Sequence, residues 1–173
     1  MNKNLPLSNI VVLDLTNVLS GPFATQILSD LGAEIIKVEK PNGDDSRKFG
    51  PFIKKRSSYF ISLNRGKKSI VIDFNNEEDK KIFKKLLAIS DVIIDNFKPG
   101  TLEKYGFSSS YLKKNFPLLI QTKISGFGET GPLKENPAYD MIVQAMGGLM
   151  SITGKDKNAT YRVGSSIGDI VAG

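Results

Sequence analysis

Ile10-Val11-Val12-Leu13-Asp14-Leu15-Thr16-Asn17-Val18-Leu19-Ser20-Gly21-Pro22-Phe23-Ala24-Thr25-Gln26-Ile27-Leu28-Ser29-Asp30-Leu31-Gly32-Ala33-Glu34-Ile35-Ile36-Lys37-Val38-Glu39 is the stretch that decides the fold. Its opening residues, Ile10 to Leu15, form a continuous apolar, β-branched run, the pattern of a strand buried on both faces. Ser20-Gly21-Pro22 opens a helix, with Pro22 expected at the first helical position. Phe23, Ile27, Leu28 and Leu31 then fall at helical spacing, and Gly32 supplies a C-terminal stop. Ala33 to Glu39 reads as a second strand. Strand, helix and strand in immediate succession make a βαβ unit, and therefore a parallel sheet.

Working outward, the alternation continues. Lys68 to Asp73 reads as a third strand. Asn76 caps a helix whose first turn carries Glu77, Glu78 and Asp79, matched to the helix dipole. Ile82, Phe83, Leu86 and Leu87 are its apolar face, and Lys80, Lys81, Lys84 and Lys85 its wet one. Asp91 to Asp95 is a fourth strand, Ser108 to Lys114 a short helix, and Leu118 to Ile124 a fifth strand. The expected architecture is one α/β domain over residues 1–173, a Rossmann-like open parallel sheet with helices on both faces. Ligands of such sheets bind outside the C-terminal ends of the strands, which singles out the loop Asn96-Phe97-Lys98-Pro99-Gly100. The irregular Pro41 to Ser58 stretch is a second functional candidate by its length. Gly126-Phe127-Gly128-Glu129-Thr130-Gly131 spells the dinucleotide fingerprint after a strand. Pro132, Pro137 and a polar stretch follow where a helix should open, so the motif lacks its context. After Pro137, residues Ala138, Met141, Ile142, Ala145, Met146 and Leu149 predict a helix with one apolar face, its methionines and Met150 serving as core filler. Thr153 to Asn158 reads as a polar loop.

Composition removes whole classes of chemistry. Among 173 residues there is no cysteine and no histidine. Thiol nucleophiles, histidine bases, histidine-containing triads and most zinc sites are therefore excluded, and no metal is expected. The net charge is +6, with lysines spread through the chain and only one short basic patch, Lys54-Lys55-Arg56. Such dispersion argues against nucleic acid and leaves a phosphorylated ligand open. No apolar run is long enough to span a bilayer, and Met1 to Pro6 lacks a signal-peptide core, so no membrane is expected and the cytoplasm is the expected location.

One carboxylate stands out. In Gly164-Ser165-Ser166-Ile167-Gly168-Asp169-Ile170-Val171-Ala172-Gly173, Asp169 lies between small and apolar residues. Such a carboxylate is either a turn or cap residue, or a poorly solvated working group of raised pKa and enhanced nucleophilicity.

Taken together, Val12-Leu13-Asp14-Leu15-Thr16, Ser20-Gly21-Pro22-Phe23-Ala24, the run from Leu31 to Pro41, Asn64-Arg65-Gly66-Lys67-Lys68-Ser69, Asn96 to Gly100, Ile124 to Gly128, Pro137-Ala138-Tyr139-Asp140 and Gly168-Asp169 resemble the class III CoA-transferase family. This is the CaiB/BaiF type, with formyl-CoA and carnitine CoA-transferase relatives. The likeness covers the N-terminal portion of a larger, interlocking family fold whose usual chain is much longer. It implies transfer of CoA between an acyl-CoA and a carboxylic acid, with Asp169 as nucleophile forming aspartyl intermediates. Asp140 matches an acidic position beside the nucleophile. Val18 and Lys40, the backbone stretch Ile72-Asp73-Phe74-Asn75, the loop Asn96-Phe97-Lys98, and Lys104 match positions around CoA. No permanently bound cofactor is implied, since CoA and acyl-CoA act as substrates. The resemblance also implies a homo-oligomer, or a separate chain supplying the C-terminal half with its glycine-rich loop. Leu19 departs from the glutamine of formyl-CoA transferases, and Asn75 and Pro137 each replace a frequent lysine, so acyl specificity and phosphate contacts differ. The alternative within the family is a non-catalytic CoA-binding module. A nucleotide-binding domain unrelated to CoA is a further rival, and the related racemases require a histidine that this chain lacks.

Overall fold

The computed structural model describes residues 5–156 and 159–173. The readings of Met1 to Asn4 and of the loop's last residues, Lys157 and Asn158, lie outside the described residues. Five parallel strands form the sheet: β1 (Val11–Asp14), β2 (Glu34–Glu39), β5 (Lys68–Val71), β6 (Val92–Asp95) and β7 (Ile120–Lys123), in the spatial order β5-β2-β1-β6-β7. The chain builds outward from β1 through β2 to β5, then crosses back to place β6 on the other side of β1. That reversal between β1 and β6 is a topological switch point, where the connections diverge and leave a crevice.

Pleating sends successive side chains of each central strand to opposite faces. Leu13, Leu15, Ile36, Val38 and Ile93 enter one core with Phe83 and Leu87 of α3 (Glu77–Ile89), Leu102 of α4 (Thr101–Lys104), Phe107, and Leu112 of α5 (Ser109–Asn115). Val12, Ile35 and Ile94 enter a smaller core beneath Leu28 of α1 (Ser20–Asp30). Phe83 is the keystone of the larger core, fully buried between Phe74 and Phe107 in edge-to-face contacts at 4.9 and 4.8 Å. The expected Asn76 cap is present, its side chain accepting from the backbone N–H groups of Glu78 and Asp79.

Several expectations need correcting. Pro22 is the third residue of α1, which begins at Ser20. The third strand ends at Val71, and Leu118 precedes β7 almost fully exposed. The 41–58 stretch is largely structured, with a 3-10 turn (Asp45–Lys48), a hairpin of β3 (Phe52–Ile53) and β4 (Arg56–Ser57), and the start of α2 (Ser58–Asn64). Ile82 is exposed on α3.

The largest correction is the helix after Pro137. In α6 (Asp140–Met146) the polar Asp140 and Gln144 are buried, while Met141, Ile142, Val143 and Met146 are exposed. Met141 and Met146 are therefore surface residues of this chain, not core filler. The cause is backbone demand. The loop leading to α7 (Ile167–Ala172) has N–H groups with no helical partner, and buried side-chain acceptors on α6 satisfy them.

Candidate active site and nucleotide cleft

A cleft of about 170 Å³ opens at the C-terminal ends of β1 and β2, beside the switch point. Its walls include Leu15, Thr16, Asn17, Val38, Glu39, Lys40, Gly43, Asp44, Ile72, Phe74, Phe97, Thr101 and Tyr105. Of the residues singled out in the sequence, Lys40, Ile72, Phe74 and Phe97 line it. Tyr105 stacks on Phe74 at 5.2 Å, giving the cleft a flat aromatic side. The other candidates are outside the lining. Asp73 and Asn75 make a turn, with the Asp73 carboxylate accepting from the Asn75 backbone and side chain at 2.9 Å. Lys98 precedes α4, Lys104 is its last residue, and both are exposed. Lys40 is on the rim, paired with Asp45 at 2.8 Å, with both side chains about half exposed.

The loop after β1 does without glycine. Asn96 clamps it, accepting from the Asn17 N–H and donating to the Asn17 carbonyl, both at 2.9 Å. Val18 sits at φ +69°, a left-handed conformation that a β-branched residue adopts only under constraint. Two buried ion pairs supply that constraint. Lys37 bridges the Thr16 carbonyl at 2.8 Å and Asp44 at 2.9 Å, and Asp44 in turn accepts from Ser46 and from the Val18 N–H. Lys67 pairs with Asp14 at 3.1 Å, and Asp14 accepts from the Thr16 N–H at 2.9 Å. Burial alone would raise the Asp44 carboxyl, but the Lys37 charge and the Ser46 bonds hold it below its ordinary value. Glu39 follows the same logic. Burial acts to raise it, while hydrogen bonds from Arg47, Ser69 and the Asp44 N–H bring it down to about 2. Arg47 grips Glu39 through two nitrogens and lies 3.7 Å over the ring of Phe60.

Asp169 stands in the first turn of α7, half-buried, and burial and then the charge of Asp140 raise its carboxyl above the ordinary range. Asp140 is 7% exposed and spends one oxygen on the Gly168 N–H at 2.8 Å and the other on the Gln144 amide at 2.7 Å. Gln144 also accepts from the Val163 N–H at 2.8 Å. The acid matched in the sequence to a place beside Asp169 thus anchors the residue immediately before it. Tyr59 of α2 is outside the cleft lining, with its ring against Phe49. Its phenol is pushed up by burial and by the charges of both Asp169 and Asp44. Lys37, Asp44, Tyr59, Tyr105 and Gln144 were not found in the sequence. Lys37 had a readable signal, since a lysine inside a strand buried on both faces must find a buried partner. Among the described residues no group of three metal-ligating side chains is present, and no helix is long and apolar enough to cross a membrane.

Strand order and a cleft at the reversal place the domain in the Rossmann-like α/β class. Within that class the chain belongs to CoA-transferase family III, whose pattern matches residues 7–173. It is 48% identical over 170 residues to the acetyl-CoA:oxalate CoA-transferase of Acetobacter aceti, covering 97% of this chain and 44% of that one. It is 45% identical over 170 residues to the succinyl-CoA:glutarate CoA-transferase of Mus musculus, covering 97% of this chain and 39% of the other. Among solved structures it is similar to a CAIB/BAIF family protein from Brucella suis, with a TM-score of 0.92 and 43% identity over 97% of this chain and 46% of that one. The chain spans under half the length of these relatives.

Proposed function

We propose that this chain is the CoA-binding, nucleophile-bearing part of an acyl-CoA:carboxylate CoA-transferase, with Asp169 as the covalent group. A carboxylate oxygen of Asp169 attacks the thioester carbonyl, the C–S bond breaks, and CoA leaves as the thiolate from a mixed anhydride. The thiolate then attacks the aspartyl carbonyl, releasing the donor carboxylate and leaving an aspartyl-CoA thioester. The acceptor carboxylate attacks that carbonyl, expelling the thiolate and forming a second mixed anhydride. Attack of the thiolate on the acceptor's acyl carbon gives the new acyl-CoA and returns Asp169. No proton need move, which suits a chain without histidine or cysteine. Asp140 sets the register of the nucleophile through Gly168. CoA is read by the cleft, with Lys40, Ile72, Phe74 and Phe97 in its walls, Asn96 and Val18 shaping its loop, and Asp73, Asn75, Lys98 and Lys104 at its margin.

The single observation that carries this reading is Asp169 itself. It is a half-buried carboxylate of raised pKa, held on a short helix by a buried second carboxylate. Turnover requires an oxyanion-stabilising donor and a cover for the apolar side of α6. Either a second copy or the part of the relatives' length that this chain does not span supplies both. The test uses the assembly that turns over. Given acyl-CoA, it carries an adduct on Asp169 that hydroxylamine traps as a hydroxamate, and Asp169→Asn binds CoA without exchange. Sustained exchange by Asp169→Asn overturns the assignment.

A further inference from the structure

Lys67 is fully committed to polar partners. Its ammonium is 1% exposed and faces the Asp14 carboxylate at 3.1 Å, the Pro22 carbonyl at 2.9 Å, the Thr25 hydroxyl at 2.7 Å and the Asn64 amide oxygen at 2.9 Å. These acceptors come from the end of β1, the first turn of α1 and the end of α2. An ammonium has only three N–H donors, so it is saturated. Asp14 passes the constraint on, because its other oxygen takes both the N–H and the hydroxyl of Thr16. Thr16 lies so close beneath α1 that a Cβ on Gly21 would come within 2.2 Å of it. The strained Val18 follows two residues later.

We propose that Lys67 is a positioning residue for the nucleotide cleft, its positive charge holding Asp14 and through it the Thr16–Val18 loop in the shape that receives CoA. This rests on the proposed function only for the identity of the ligand. Lys67 touches neither the cleft lining nor Asp169, so its action is through the loop. A buried carboxylate that loses the cation paired with it is costly to keep in place, and the loop it holds has no glycine to relax into another stable turn. The charged groups around Lys67 are Asp14 on β1, Lys37 on β2 and Asp44 before the 3-10 turn, while α1 and α2 present only neutral acceptors.

Proton loss is the switch that tests this. Burial first, and repulsion from Lys37, bring the Lys67 ammonium down to about 8 despite Asp14 and Asp44. Since the folded value lies below the unfolded one, the unfolded chain holds more protons between about 8 and 10.5, and this group's contribution to stability rises with pH through that window. Ligand affinity is expected to move the opposite way. Acetyl-CoA, whose acylated sulfur does not titrate, should bind the chain about tenfold more weakly about one pH unit above the Lys67 value than about one unit below it, a range that stays under the ordinary lysine value, and the loss is on the scale of one charge-assisted hydrogen bond. The amide NMR signals of Thr16 and Val18 should titrate with the same midpoint. Lys67→Arg, charged throughout, should flatten both curves, and Lys67→Met should show the weak affinity at neutral pH. Titration of the Thr16 and Val18 amides that is unchanged in Lys67→Arg overturns the brace, as does an affinity loss that survives that substitution. Amides that titrate as expected in a chain that binds no acetyl-CoA at any pH support the brace and overturn the proposed ligand instead.

Discussion

The two ends of this chain solve the same problem in opposite ways. From β1 to α5 apolar side chains fill the core, with Leu13, Phe83 and Phe107 at 0 to 2% exposure, and the buried charges are paired, Lys37 with Asp44 and Lys67 with Asp14. From α6 onward the polarity is inverted. Asp140 and Gln144 are inside, while Tyr139, Met141, Met146 and Val171 are between 54 and 77% exposed. The first region is held by burial of apolar area against itself, with buried ion pairs bracing its loops. The second is held by side-chain acceptors that satisfy a loop's backbone and presents its apolar area outward. The difference teaches that the region around Asp169 is organised for its hydrogen bonds first and leaves its apolar side facing outward.

Core truncation gives the largest expected effect and tests the first half of the contrast. Phe83→Ala should cost about 3 to 5 kcal/mol of unfolding free energy, because it leaves a cavity between Phe74 and Phe107. Chemical denaturation measures it, and a loss of under about 1 kcal/mol would break the picture of a self-sufficient core.

The next largest effect lies in the inverted region. Asp140→Ala strips the acceptors from the Gly168 N–H and the Gln144 amide, and a buried unpaired donor costs about 1 to 3 kcal/mol. Hydrogen exchange should accelerate across residues 163–170 and leave β1 and β2 protected. Uniform acceleration over the whole chain would show that the two regions are one cooperative unit.

A smaller, pH-resolved effect separates the regions by charge. Glu39 has a folded value of about 2, below its ordinary 4.5, so its stabilisation is complete above the ordinary value and is lost as pH falls through the folded one. Asp169 is shifted upward, so its contribution runs the other way and opposes stability at neutral pH. In an acid titration followed by NMR, the Glu39 carboxyl should be the later of the two to protonate.

The smallest expected effect on stability is the sharpest on assembly. Met146→Ala, at a 60% exposed site, should change unfolding free energy by no more than about 0.5 kcal/mol. Met141→Ser with Met146→Ser should nevertheless reduce self-association or partner binding in light scattering. An unchanged mass distribution would mean that the outward apolar face covers nothing.

The sheet was legible because Ile10 to Leu15 and Asp91 to Asp95 are apolar runs with no other use. The same reasoning failed at α6, where the spacing of Met141, Ala145 and Met146 is a true apolar stripe but faces away from this chain's own core. Periodicity reports that a face is apolar, not what covers it. In the site, the reading of Asp169 and Asp140 as neighbours depended on the family resemblance, and the bond from Asp140 runs through the Gly168 backbone, which no side-chain pattern encodes. Lys67 lay in a quoted motif, yet its partners Asp14, Pro22 and Thr25 are distant in sequence and meet only through the fold.

The glycine-free loop has a consequence for how this site can diversify. Where a ligand is gripped by bare backbone, every change of residue disturbs the grip. Here the shape of residues 16–18 is imposed from beneath, by Asp14, Lys37, Asp44 and Lys67. The half-buried Leu19, the next residue along and the point of departure from the formyl-CoA transferases, is spared that duty. Residue 19 can therefore vary while the supports below stay fixed. A library randomised at that one position should return CoA-binding chains of near-parental affinity for most residue types, whereas the same library at Asp14 or Lys67 should return mostly weaker binders.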